Sequence, residues 1–162
     1  ELAGAIGQEM HLDDDTIEGL KIIGYIHDIG KIQVPAEILT KPAALTKPEY
    51  EIIKLHSEKG YEVLKNVDLP WPAAKAIYQH HERQDGSGYP LGLKKDEIIL
   101  ESRILAVADV MEAMITHRPY RPALGIEVAL EEIENNQNVL YDQNVVKACL
   151  QLFHEKNYKI EL

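Results

Sequence analysis

One cysteine stands among the 162 residues, so the chain can form no internal disulfide. That cysteine, Cys149, lies in the apolar run Val145-Val146-Lys147-Ala148-Cys149-Leu150 and reads as a small buried hydrophobe. The pattern suits a reducing cytoplasm. Apolar runs are short, and none approaches the roughly 20 residues a membrane helix needs. The start lacks the basic end and apolar stretch of a secretory leader. Basic residues are few, 17 against 27 acidic, for a net charge of −10. So acidic a surface argues against a nucleic-acid polymer as ligand, because such binding rests on Lys and Arg neutralising phosphates. A small phosphate ester at a metal site stays open, since bound cations dominate the local charge there. Repeats, low-complexity tracts and Ser/Gly linkers are missing too. The length fits one domain, and a start at Glu1 instead of Met leads us to expect a domain from a longer chain.

What is present is helical periodicity. Apolar residues recur at helical spacing in Ile17, Leu20 and Ile23, and again in Ile104, Val107, Val110, Met111 and Ile115. Two capping boxes are expected, at Asp15-Thr16-Ile17-Glu18 and Thr46-Lys47-Pro48-Glu49. The pattern predicts helices to about Met10, over 16–29, 36–39, 48–65, 72–82, 99–117, 125–135 and 143–155. Gly30 reads as a helix C-terminal glycine. Gly86, Gly88, Pro90 and Gly92 mark 84–95 as one loop. No alternating segment demands a sheet, so the class is all-α.

Four sets of residues carry chemistry. His27-Asp28 ends an otherwise apolar helix, where a charged aspartate is costly unless paired or bound to a metal. His80-His81-Glu82 follows, and two adjacent imidazoles on a helix point about 100° apart, so they share a site only in a crook between helices. His56 sits among Ile52, Ile53 and Leu55. Asp109 lies in the most apolar helix, Ile104 to Met111. Taken singly, each is more often an ordinary helix-end pair or a satisfied core residue. Taken together, they offer only N and O donors, which suits iron, manganese, zinc or magnesium. A bridging carboxylate with separate histidines would hold two ions that clamp a phosphodiester and supply hydroxide.

His27-Asp28-Ile29-Gly30-Lys31, His56 with Gly60, His80-His81-Glu82-Arg83 and Asp85-Gly86-Ser87-Gly88-Tyr89-Pro90 resemble the HD-GYP family of bacterial phosphodiesterases. Ala108-Asp109-Val110 and Arg118-Pro119-Tyr120-Arg121 match as well, and the resemblance covers nearly all of 1–162. It implies an all-helical HD-type bundle with a Gly-rich loop, holding two or three divalent ions, iron or manganese. It also implies hydrolysis of cyclic di-GMP to pGpG, and often on to GMP. By that resemblance His27, Asp28, His56, His80, His81 and Asp109 are metal ligands, with Asp28 bridging. Lys31 contacts the scissile phosphate and, with His27 and Asp28, makes the catalytic group. Tyr89, Arg118 and Arg121 hold the base or phosphates; two guanidiniums just beyond a metal-bearing helix suit bidentate phosphate binding, the alternative being a solvated helix end whose cations complement the dipole. Glu112 stands where the family usually has aspartate. The family also usually draws another histidine from a helix far upstream, so 1–162 is expected to lack the start of its first helix. An upstream receiver or sensor domain, as in a two-component response regulator, is implied too. The alternative is a non-catalytic module that binds cyclic di-GMP or docks a diguanylate cyclase through Asp85–Pro90.

Overall fold

The computed structural model describes residues 1–117, 123–156 and 158–160. Among these residues eight α-helices run in the order α1 (Leu2–Glu9), α2 (Asp14–Ile26), α3 (Ala36–Leu39), α4 (Lys47–Leu64), α5 (Ala73–Gln79), α6 (Leu100–Ile115), α7 (Ile126–Asn135) and α8 (Gln143–His154). Two 3-10 turns, Ile29–Gln33 and Lys95–Glu97, interrupt the order. Among the described residues no strand forms, only isolated bridges such as Asp85 with Lys94, and the all-α class is observed. No described helix is long and apolar enough to cross a membrane.

Helix α6 is the axis of the molecule. Ile104, Leu105, Val107, Ala108 and Met111 are buried on it, and it meets α1, α2, α5, α7 and α8. A helix apolar on nearly every side is one enclosed by others. The core joins Leu2 and Ile6 of α1, Leu20 and Ile23 of α2, Ile77 of α5, and Val145, Val146 and Cys149 of α8. Cys149 is buried as expected, and burial pushes its thiol up to about 12. Helix α4 packs on α5 and on the 29–33 turn, which sets the site's geometry.

Three boundaries depart from expectation. Helix α2 begins two residues early, because Asp13 caps it: its carboxylate accepts from the Thr16 backbone N–H at 2.9 Å and the Thr16 hydroxyl at 2.8 Å. Helix α5 stops at Gln79, so His80 and His81 lie at its end and not inside it. Gly30 is no C-terminal cap; it sits in the 3-10 turn, where a Cβ would lie 1.9 Å from the His56 carbonyl oxygen. Its missing side chain permits a backbone contact.

The box at Thr46 forms as expected. The Thr46 backbone N–H donates to Glu49 at 2.7 Å, and Thr46 Oγ1 accepts from the Glu49 N–H at 3.5 Å. Lys41 Nζ adds an ion pair at 2.7 Å. Lys41 first, then Thr46, holds the Glu49 carboxyl down at about 2. A lowered folded-state value means this stabilisation is present above the ordinary 4.5 and is lost as pH falls toward 2. Glu49→Gln is therefore expected to lower Tm slightly at pH 7 and to flatten its decline between those values. Parallel thermal melts across the acid range check this, and identical slopes in both proteins would contradict it.

Candidate metal centre

Four segments converge. Helix α2 delivers His27 as its last cap and Asp28 just beyond; α4 supplies His56; the end of α5 supplies His80 and His81; α6 supplies Asp109. His27 Nδ1 lies 2.7 Å from the Gly24 carbonyl, His56 Nδ1 2.6 Å from Ile53, and His80 Nδ1 2.6 Å from Ile77. A carbonyl only accepts, so each Nδ1 must carry the proton. Every ring is thereby fixed on its own preceding turn, with Nε2 aimed outward, as metal-binding imidazoles are held.

The consequence at the centre is electrostatic. His56 Nε2 lies 3.3 Å from His80 Nε2 and 3.2 Å from His81 Nε2. Burial keeps all three rings neutral: it lowers His56, takes His80 down to about 4 and puts His81 well below its usual value. With both Nδ1 atoms protonated, His56 and His80 face each other lone pair to lone pair, which is repulsive unless a cation lies between. Donors about 2.1 Å from one ion sit roughly 3.0 Å apart at octahedral and 3.4 Å at tetrahedral angles. The observed separations, 3.3 and 3.2 Å, fall between those values. The donor atoms of His56, His80 and His81 all lie within 4.8 Å of one another.

The carboxylates flank this trio. Asp28 approaches His56 Nε2 at 3.6 Å and His27 Nε2 at 3.5 Å, and Asp109 approaches His27 Nε2 at 3.6 Å and His81 Nδ1 at 4.0 Å. These gaps are too long for hydrogen bonds and of a size an ion would span. Asp28 thus touches both groups of donors. Burial opposes its charge, but His27 and Lys31 outweigh that and hold its carboxyl below the usual range. Burial opposes Asp109 more strongly, yet His27, His81 and His80 keep it ionised. His27 shows the reverse: burial disfavours its charge, while Asp109 and Asp28 raise it to about 9. A proton on His27 Nε2 therefore answers the two carboxylates, and a bound cation would displace it.

Lys31 Nζ donates to Asp28 at 2.5 Å. Tyr89 stacks on His81 with ring centroids 4.7 Å apart. The structure thus brings together His27, Asp28, Lys31, His56, His80, His81, Tyr89 and Asp109. Arg118 and Arg121 lie outside the described residues. A cavity of about 260 Å³ opens over the centre, lined by Lys31, Tyr50, Ile53, His56, His81, Arg83, Tyr89, Asp109 and Ala113.

Sequence reasoning gave no role to Glu82, although it stands inside the paired-histidine motif. It is buried, and its carboxylate accepts from the Leu91 N–H at 2.7 Å and the Leu93 N–H at 2.9 Å. Gly88 closes the same loop from within, since a Cβ there would lie 2.4 Å from Arg83 N and Glu82 Cα. The Tyr89 N–H then donates to the His81 carbonyl at 3.2 Å. Glu82→Ala is expected to cost about 2 kcal/mol, the low end for two donors left without an acceptor, because water reaches this loop. Hydrogen exchange at the Leu91 and Leu93 amides should quicken. Unaltered exchange would show that Glu82 does not hold the loop.

The HD domain family model matches residues 1–145. A cyclic di-GMP phosphodiesterase of Thermotoga maritima is 42% identical over 95% of this chain and 42% of its own length. The 3'3'-cGAMP-specific phosphodiesterase 1 of Vibrio cholerae is 40% identical over 78% of this chain and 29% of its own. The chain thus spans less than half the length of these curated relatives. Among solved structures, Bd1817, a HDG"Y"P protein from Bdellovibrio bacteriovorus, superposes with a TM-score of 0.76. It is 17% identical, over 94% of this chain and 49% of that one. This likeness shows the fold.

Proposed function

Since the chain belongs to the HD domain family, in its HD-GYP branch, we propose that it is a metal-dependent phosphodiesterase acting on cyclic di-GMP. The observation that carries this reading is the pair of proton-fixed histidines, His56 and His80, whose Nε2 atoms face each other at 3.3 Å beside two ionised carboxylates. In the reading, His56, His80, His81 and Asp28 hold one ion, and His27, Asp28 and Asp109 hold the other, with Asp28 shared. Iron or manganese suits these N and O donors. The bound ions would polarise a phosphate and acidify a water. Lys31 is placed to steady a phosphate oxygen and to keep Asp28 ionised. The Tyr89 phenol, pushed up by burial, stays protonated as a hydrogen-bond donor beside the centre. Arg118 and Arg121 are assigned to the substrate on their sequence match.

The same reading gives pGpG as first product with GMP beyond it, a cytoplasmic location, and an upstream receiver or sensor domain. It also includes docking of a diguanylate cyclase domain at Asp85–Pro90, where Asp85, Ser87 and Pro90 are exposed. A specific observation favours a second substrate: a relative 40% identical is named for 3'3'-cGAMP. The test is to load the purified protein anaerobically with iron(II) or with manganese and count the ions by elemental analysis. It is then offered cyclic di-GMP and 3'3'-cGAMP in parallel, with products separated by chromatography. The expected result is about two bound ions per chain and faster turnover of cyclic di-GMP. Metal-loaded protein that binds the ligand but never cleaves it would make the non-catalytic module the right reading.

A further inference from the structure

Resting on that reading of the site, we propose that Tyr50 is a substrate-binding residue whose ring stacks on a purine base of the cyclic dinucleotide. Tyr50, Ile53 and His56 recur at three-residue steps along α4 and all line the cavity, so they share one side of that helix. His56 stands at the metal end. Tyr50 lies six residues earlier, about 9 Å along the helix axis, which is the direction in which a ribose and base would extend from a phosphate held at the centre.

The lining divides by chemistry. Among the described residues Lys31 and Arg83 are its cations and answer phosphate oxygens. A cyclic purine dinucleotide also presents two flat apolar base faces, and aromatic rings are what single nucleotides stack on. Tyr89 already lies against His81. Among the described residues the remaining tyrosine of the lining is Tyr50, with a solvent exposure of 47%. A ring left half in water at a cavity mouth gains little from packing. It is nonetheless oriented: Lys54 Nζ lies 5.1 Å from the Tyr50 ring centroid and 5.4 Å from that of Tyr89. One ammonium therefore serves both rings, and Glu51 holds that ammonium at 2.7 Å. The alternative role for Tyr50 is to shelter the Lys54–Glu51 pair. That role would register in stability and not in substrate affinity.

The experiment compares wild type, Tyr50→Ala and Tyr50→Phe, all metal-loaded, on cyclic di-GMP and on methyl p-nitrophenyl phosphate, a phosphodiester that carries no base. Tyr50→Ala should raise KM for cyclic di-GMP about 5- to 160-fold, the range for loss of one base–aromatic stack. Its kcat should stay within about twofold. Metal content and hydrolysis of the base-free diester should not change, and Tyr50→Phe should behave like wild type. An unchanged KM for cyclic di-GMP in Tyr50→Ala overturns the proposal. So does an equal loss on both substrates, which marks a structural role. Wild-type protein that cleaves the base-free diester but no cyclic dinucleotide would instead bring down the proposed function, and this inference with it.

Discussion

Asp28→Ala is expected to empty the metal centre and abolish turnover of cyclic di-GMP while leaving the helices intact. Asp28 approaches both donor groups more closely than Asp109 does: it lies 3.5 Å from His27 and 3.6 Å from His56, whereas Asp109 lies 3.6 Å from His27 and 4.0 Å from His81. Removing it takes a negative charge from each proposed ion at once. Loss of a residue that merely orients a ligand weakens metal binding about 10–100-fold, so loss of a shared ligand should do at least that. Two further changes add to the loss. Lys31 is left without its partner, so its ammonium stands uncompensated beside the site. His27 loses one of the carboxylates that favour its charge. The core contributes no reason to unfold, because Asp28 sits between α2 and the 29–33 turn and belongs to no apolar cluster. Elemental analysis should show most metal gone, with helical circular dichroism retained. Full metal content with normal turnover would remove Asp28 from the mechanism.

How far the fold could be read without coordinates depends on whether its determinants are local. Helix α4 begins where Thr46 and Glu49 place it, because a capping box lies within four residues of chain. Helix α2 is less determined: Asp13, Asp14 and Asp15 are all able acceptors, and only the three-dimensional fit of Asp13 to Thr16 selects among them. The end of α5 was not legible at all. Periodicity continues to Glu82, but the helix stops at Gln79 because the following segment is drawn away. Gln79 itself accepts from the Ile99 N–H at 3.0 Å, and the glycine-rich loop folds back on His81. Both are contacts across many residues.

The same division governs the site. Histidine and aspartate in apolar helices announce themselves by residue type, because burying them is costly without a partner. Their convergence is a property of helix packing and needed the fold. Glu82 was passed over although it stands beside two candidate ligands. Its partners are the backbone N–H groups of Leu91 and Leu93, and no side chain in that stretch signals that an acceptor is required. Tyr50 was equally silent: an aromatic on an amphipathic helix reads as packing until the cavity is seen on that side.

Gly30→Ala is expected to disable the centre from outside it. The added Cβ would lie 1.9 Å from the His56 carbonyl oxygen, 2.5 Å from the Gly60 nitrogen and 2.8 Å from the His56 carbonyl carbon. All three are backbone atoms of α4, which cannot swing aside as a side chain does. The 29–33 turn must therefore lift off α4 by an ångström or more, and Asp28 and Lys31 lie at or beside that turn. Overpacking of this kind costs about 1–3 kcal/mol and occasionally more, which for a domain of this size corresponds to a fall in Tm of roughly 2–12 °C. The more telling loss is geometric. Donors that must sit about 3.0–3.4 Å apart around an ion would be separated between His56 on one side and His27 and Asp28 on the other. Metal content should fall even at temperatures where the variant is fully folded. Gly60→Ala provides the comparison. Its Cβ meets the Ile77 Cγ2 methyl at 2.8 Å, a milder clash that must be absorbed by a small shift in the core, and its nearest contact to another element's backbone is the Gly30 nitrogen at an ordinary 3.6 Å. A smaller drop in Tm with metal retained is expected there. Should Gly30→Ala keep both its melting temperature and its ions, the turn does not depend on that contact, and its hold on Asp28 must come from elsewhere.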